Sequence, residues 1–440
     1  MKVLKFGGTS VGSPERMKGV HQIITRDNDQ KIVVLSAVSG TTNILVDLSV
    51  KQKQKDEDGI KMVLETLFDK YLDFIKDLYT TDEYLGKGKS VVEKYFGAIR
   101  ALLAKPYSNQ LAKELVVQGE LISTNLFINY LLECKLNANI IPAADFIMLN
   151  EDGEPDLDLI GEKLGAILTE ESDKEILITQ GFICRNASGD IDNLKRGGSD
   201  YSATLIGASI NAEEVQIWTD IDGMHNNDPR IVESTFPIAE LSFDEAGELA
   251  YFGAKILHPN CIRPAQQRNI PVRIKNTLDP DAKGTLITSN KNPDTVKAIA
   301  VKDDITAIKI KSSRMILAYG FLRKVFEVFE KYKTPIDMIT TSEIAVSVTI
   351  DEATYLSEIL EEISAYGTVE VDKNQSIICI VGDFVAERKG VGVDIFKAME
   401  NIPVRMISYG GSKNNISLLI DTGFKKEALT ALNKQLFGLS

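Results

Sequence analysis

"KIVVLSAVSGTTN" (residues 31–43) decides the fold. Ile32 to Val38 form an apolar, largely β-branched run without the alternation of a half-exposed strand, and "SGTTN" ends it. A strand of that kind is covered on both faces, as strands of a parallel sheet between helices are. Upstream, "SPERMKGVHQII" (13–24) begins as a helix: Ser13 can cap it, Pro14 suits the first position and Glu15 favours the positive end. Before it, "KVLKFGGTS" (2–10) reads as a strand ending in a glycine turn. Downstream, residues 51–110 turn helical, with apolar residues at helical spacing in "IKMVLETLFDKYLDFIKDLY" (60–79). Strands and helices then alternate again through "ANIIPAADF" (138–146), "EILITQGFICRN" (175–186), "EVQIWTDIDG" (214–223) and "IPVRIKN" (270–276). The expectation is an α/β domain over 1–295, mainly parallel, with 51–110 a helical segment inside it.

Beyond residue 295 the pattern changes. "PIDMITTSE" (335–343) is echoed by "PVRMISYGG" (403–411), and "IAVSVTID" (344–351) by "ISLLID" (416–421). Each copy has an amphipathic helix before it and another after. Residues 296–440 therefore read as two tandem ferredoxin-like βαββαβ units of about 70 residues, with a boundary near 370.

Composition narrows the function. A net charge of −13 argues against nucleic acid or an anionic membrane as partner. No basic leader and no apolar run near the roughly 18 residues of a membrane span is read, which points to the cytoplasm. The cysteines (Cys134, Cys184, Cys261, Cys379) form no CxxC pair and look like reduced thiols. His21, His225 and His258 share no metal-ligand spacing, so no protein-held metal is expected.

Three constellations carry chemistry. In "KFGGTS" (5–10), Gly7 and Gly8 let backbone N–H groups approach an anion, Lys5 adds a full charge, and the following helix adds its dipole. A solvated lysine beside a tight turn would look the same taken alone. In "LKRGGSDYSA" (194–203), Arg196 can hold a carboxylate through paired hydrogen bonds. Asp200 and the distant Glu120 of "QGELIS" can each take an ammonium, and one arginine with two acids suits a free amino acid. In "WTDIDGMHNNDPRIV" (218–232), Thr219 and Asp220 end an apolar strand, the edge at which open α/β sheets bind ligands. Lys255 follows in "YFGAKILHP" (251–259). The Walker loop is absent, because "GKS" at 88–90 lacks its first glycine at position 83. Kinase-type GxGxxG and HRD motifs are absent too.

In order, "KFGGTSV", "GTTNILV", "GELIS", "GFI", "RGGSDYSA", "WTDIDG" with "DPR", and "FGAKILHP" resemble the motifs of aspartate kinase, and the C-terminal repeats resemble ACT regulatory domains. The resemblance spans the chain and implies a monofunctional enzyme of the amino-acid-kinase fold. It would transfer the γ-phosphoryl group of ATP, with Mg²⁺, to the side-chain carboxylate of L-aspartate, giving 4-phospho-L-aspartate for lysine, methionine and threonine synthesis. The resemblance makes Lys5 and Asp200 catalytic. It gives Thr42, Glu120, Phe182, Arg196, Ser199 and Asp200 to aspartate. The nucleotide falls to Lys5, Gly7, Gly8, Thr219, Asp220, His225 (where relatives often carry tyrosine), Arg230 and Lys255. For an allosteric amino acid, lysine first and threonine second, it implies Met315, Gly320, Phe321, Leu322, Asp337, Ser342 and Glu343, with a homodimer or dimer of dimers formed through the ACT units. Two alternatives stay open: an amino-acid kinase acting on glutamate-type substrates, and a non-catalytic amino-acid sensor.

Overall fold

The computed structural model describes every residue except 195–196, 254–256, 293–295, 313–318 and 440. The chain divides into two compact units, residues 1–224 with 257–289 and residues 225–256 with 290–440.

The first unit opens with β1 (Lys2–Phe6), α1 (Pro14–Ile24) and β2 (Lys31–Leu35). Val3, Leu4 and Phe6 are buried in β1 and all five residues of β2 are, as the unbroken apolar run requires. Five helices follow: α2 (Thr41–Gln54), α3 (Glu57–Leu78), α4 (Asp82–Leu103), α5 (Asn109–Val116) and α6 (Gln118–Glu133). The 88–90 "GKS" lies within α4, not in a loop. The stretch 109–133 is by length and composition apolar enough on average to cross a membrane, but 78% of its apolar window is buried inside the protein. Next come β3 (Ala138–Ile140), α7 (Leu157–Glu170), β4 (Ile176–Gln180), the hairpin β5 (Ile183–Arg185) and β6 (Ile191–Asn193), α8 (Gly198–Ser209) and β7 (Glu214–Thr219). After β8 (Glu240–Ser242) and α9 (Phe243–Tyr251), which belong to the second unit, the first closes with α10 (Pro259–Arg268), β9 (Val272–Asn276) and β10 (Thr285–Thr288).

Within this unit the sheet runs β3-β4-β2-β1-β7-β9-β10, parallel throughout except for β10. Register aligns the strand ends: Phe6 is paired with Leu35 on one side and Trp218 on the other, and Leu35 with Gln180. The carboxyl ends of β1, β2, β4 and β7 therefore open at one level. Helices α3 and α4 share one apolar core with the sheet. Leu67, Tyr71, Phe74, Val92 and Phe96 belong to the cluster that holds Phe6, Leu35 and Trp218.

The second unit holds β11 (Ala298–Lys311), α11 (Phe321–Lys331), β12 (Ile339–Thr341), β13 (Ala345–Ile350), α12 (Leu356–Ser364), β14 (Thr368–Val381), α13 (Val391–Ala398), β15 (Val404–Tyr409), β16 (Asn415–Asp421) and α14 (Lys425–Phe437). Its six strands run β12-β13-β11-β14-β16-β15 and are antiparallel. Both repeats are present, but they are interleaved. The 14-residue strands β11 and β14 each change repeat midway, where their pairing shifts register between Lys302 and Ala307. Residues 305–372 complete one βαββαβ unit. The other takes its first strand from the end of β14 and its fourth from Ala298–Lys302, about 75 residues upstream in the chain.

Helix α9 is tied to both repeats by side chains three residues apart along its length. Ser242 Oγ donates to Asp383 Oδ1 at 2.7 Å, and the Glu245 carboxylate accepts from the Asp383 N–H at 2.8 Å. Glu248 accepts from Ser412 Oγ at 2.8 Å and from Asn415, and the Tyr251 hydroxyl donates to Asp337 at 2.7 Å.

Candidate active site

The sheet's carboxyl edge opens into a cleft of about 450 Å³. Gly7, Gly8 and Thr9 after β1 line it, as do Ser36–Gly40 after β2, Thr42 and Asn43 of α2, and Glu120 of α6. Phe182, the start of α8 (Gly198, Ser199) and Thr219 complete the wall. The helix starts on this cleft are those of α2, α6 and α8, whereas α1 contributes no lining residue. The dipole expected from the helix after "KFGGTS" thus comes instead from the starts of these helices, α8 among them.

Lys5 is 8% exposed, and its Nζ lies 2.6 Å from Asp200 Oδ1. A buried cation from β1 and a half-buried carboxylate from the first turn of α8 thus meet at the cleft. Ser36 donates to Ser199 at 2.9 Å, and Ser123 donates to the Ser36 carbonyl at 2.6 Å, tying α8 and α6 to the end of β2. Close approach of β4's end to α8 depends on glycine: a Cβ on Gly181 would stand 2.4 Å from Ser199, and one on Gly198 2.3 Å from the Phe182 ring. Phe182 adopts φ of +69°, rare for a side chain with Cβ, held by its N–H to Ser202 Oγ and its carbonyl to the Leu194 N–H.

Glu120 is 3% exposed. Its Oε1 accepts weakly from the Ala37 N–H at 3.4 Å, and its Oε2 has no hydrogen-bond partner. Burial raises its carboxyl to about 8, against the lowering effect of backbone N–H groups. A buried carboxylate oxygen without a donor, on a cleft wall, is suited to an incoming cation. Thr219 ends β7, with its hydroxyl 3.2 Å from Asp220 and its carbonyl fixed by Thr277.

Lys5, Gly7, Gly8, Thr42, Glu120, Phe182, Ser199 and Thr219 thus line one cleft, with Asp200 held by Lys5. Arg196, Lys255 and Met315 lie outside the described residues. His225 and Arg230 belong to the second unit. There His225 Nδ1 is 3.0 Å from Thr235 Oγ1, and Arg230 makes a paired contact with Asp228 at 2.9 and 2.7 Å. Sequence reasoning missed Ser36, Ser39 and Asn43. Serine at a strand end is too common to stand out, although the "SGTTN" boundary marked the place.

The profile of the amino acid kinase family matches residues 1–276, and that of an ACT domain matches 378–436. The lysine-sensitive aspartokinase 3 of Escherichia coli is 33% identical over 454 aligned residues, covering 99% of each chain. This chain belongs to the aspartokinases. Aspartokinase 3 of Arabidopsis thaliana chloroplasts is 34% identical, over 99% of this chain and 81% of that protein. The crystal structure of E. coli aspartokinase III with aspartate and ADP superposes with a TM-score of 0.84 at 32% identity, covering 99% of this chain and 100% of that one. The aspartate kinase of Clostridium acetobutylicum gives 0.84 at 27%. As an aspartokinase, the chain is an aspartate kinase, a phosphotransferase with regulatory ACT-type repeats.

Among the residues expected to hold an effector, Gly320 caps α11 with φ of +80°, and Phe321 and Leu322 begin that helix. The Asp337 side chain is 1% exposed and engaged by Lys302 at 2.7 Å and by Tyr251, while its Oδ2 has no partner. Ser342 and Glu343 stand exposed at the tip of the β12–β13 hairpin, whose open end holds Asp337. Five residues lie between Asp337 and Glu343, and the two acids stand at opposite ends of the hairpin, at most about 20 Å apart. One chain therefore does not bring these two acids into a single pocket.

Proposed function

We propose that this cleft binds L-aspartate and ATP together and transfers the γ-phosphoryl group to the aspartate side-chain carboxylate. The observation that carries the reading is the placing of a buried lysine and an unpartnered buried carboxylate oxygen on one cleft at the carboxyl edge of the sheet. An aspartate side chain is ionised at neutral pH, so the acceptor needs alignment and charge neutralisation, not a general base. Glu120 receives the α-ammonium, Arg196 the α-carboxylate, and Thr42, Ser199 and Phe182 fix the side chain. Lys5, held by Asp200, lies beside the Gly7–Gly8 turn, where it offsets charge on the transferring group. Mg²⁺ carried on the nucleotide phosphates would supply further neutralisation there.

Hydroxylamine trapping of the acyl phosphate tests the reading. Aspartate should give hydroxamate in the presence of ATP and glutamate should not; the reverse would assign the cleft to the glutamate-type alternative, and no turnover to a sensor.

For regulation we infer lysine as the effector, acting in the cytoplasm on a homodimer. Its α- and ε-ammonium groups suit two acids, and since Asp337 and Glu343 lie far apart in one chain, the pocket takes its second acid from another copy. Lysine should inhibit, and Glu343→Ala should abolish the effect; inhibition by threonine alone would overturn this assignment.

A further inference from the structure

The helical segment 57–103 touches the acceptor side of the cleft through Lys70, on the Ser39 carbonyl, and through a buried pair that lines no part of it. Tyr71 of α3 is 1% exposed, packed against Phe74 and edge-on to Phe96, and its hydroxyl is 2.9 Å from Thr41 Oγ1. Thr41 is itself fully buried. It opens α2, whose N-cap, Gly40, lies at φ of +83° and makes no side-chain capping bond. The Thr41 N–H closes the turn on the Val38 carbonyl at 3.0 Å, but no side chain of the loop caps the helix start. Two groups from α3 take over: the Tyr71 hydroxyl on Thr41, and Lys70 Nζ on the Ser39 carbonyl at 3.2 Å. The residues on either side of Thr41 face the cleft, namely Ser39, Gly40, Thr42 and Asn43.

We propose that Tyr71 is a positioning residue for the amino-acid substrate, holding the 39–43 loop through Thr41 so that Thr42 meets the acceptor. The proposal rests on the reading of the cleft given above. A phenylalanine would fill the same space against Phe74 and Phe96. What the hydroxyl adds is a directional bond in a dry core, which fixes one register of the loop where apolar packing would accept several. The segment is accordingly a fixed wall, since α3 shares the sheet's own core.

Tyr71→Phe and Thr41→Val in the full chain test it. Each should raise the aspartate KM about 5- to 10-fold, the worth of one hydrogen bond, and leave kcat and the ATP KM within about two-fold. The double variant should be no worse than either single one. Amide exchange should quicken at residues 39–43 and stay unchanged within α3, a readout that does not depend on turnover. Unchanged exchange at 39–43 in a folded Tyr71→Phe protein would overturn the proposal, as would equal losses for aspartate and ATP. Wild-type protein without aspartate-dependent turnover would instead overturn the reading of the cleft, while the exchange result still decides the role of Tyr71.

Discussion

Lys5 and Glu120 are a buried base and a buried acid whose surroundings treat them differently. Lys5 has Asp200 as counter-ion, 2.6 Å away. Lys5→Ala should reduce turnover about 100- to 1000-fold, comparable to loss of one preorganised donor, and initial-rate kinetics at saturating aspartate and ATP will measure it. Glu120 has no counter-ion, and burial raises its carboxyl from 4.5 to about 8. In the free enzyme at pH 7 it is therefore largely protonated, and binding an ammonium requires that proton to leave. The aspartate KM should fall as pH rises from about 6 to about 8, by at most about tenfold per unit, and level off above. Glu120→Gln should flatten that profile. The same shift acts on stability: the native state holds a proton between 4.5 and about 8 that the unfolded chain has lost. Glu120's contribution to stability is therefore most favourable below 4.5 and declines as pH rises to about 8.

Secondary elements were legible where their own residues dictate them. The unbroken run of β2, the Ser13–Pro14 start of α1 and the amphipathic stripe of α11 all lie where the pattern puts them. Most of the cleft was legible as well, because glycine turns and charges after strands announce themselves locally. Tyr71 was not, because its role exists only once α3 lies across α2, and its sequence neighbours read simply as core. Nor was the pairing of Arg230 with Asp228, two residues apart in a turn, which engages a cation expected at the nucleotide. Helix α9 is a case where local and distant signals combine. Ser242 and Glu245 form a capping box, and Glu245, 1% exposed, also accepts from Asp383. Glu245→Ala should leave two buried N–H groups without acceptors and lower stability by about 2–4 kcal/mol, measurable as a loss in urea unfolding of the full chain.

At the scale of the molecule, the repeat was readable but its interleaving was not. Pairing of Ala298–Lys302 with Ile377–Val381 joins segments whose sequences carry no mark of each other. A fragment of residues 371–440 contains a complete-looking βαββα run yet lacks the strand that covers one edge of β14. It should be largely unfolded by circular dichroism, whereas 296–440 should show the mixed α/β spectrum of the six-stranded sheet.

The sharing of β11 and β14 also bears on how such a regulatory region can change over generations. A module bounded by two cuts can be gained, lost or exchanged by recombination in one step. Here one cut set at the apparent joint takes Ala298–Lys302 away from the second repeat, so the hybrid gene would encode that strand without its partner and β14 with an open edge. Variation in effector response is therefore expected to accumulate by point substitution within the two repeats, and crossovers that survive should fall outside residues 298–421.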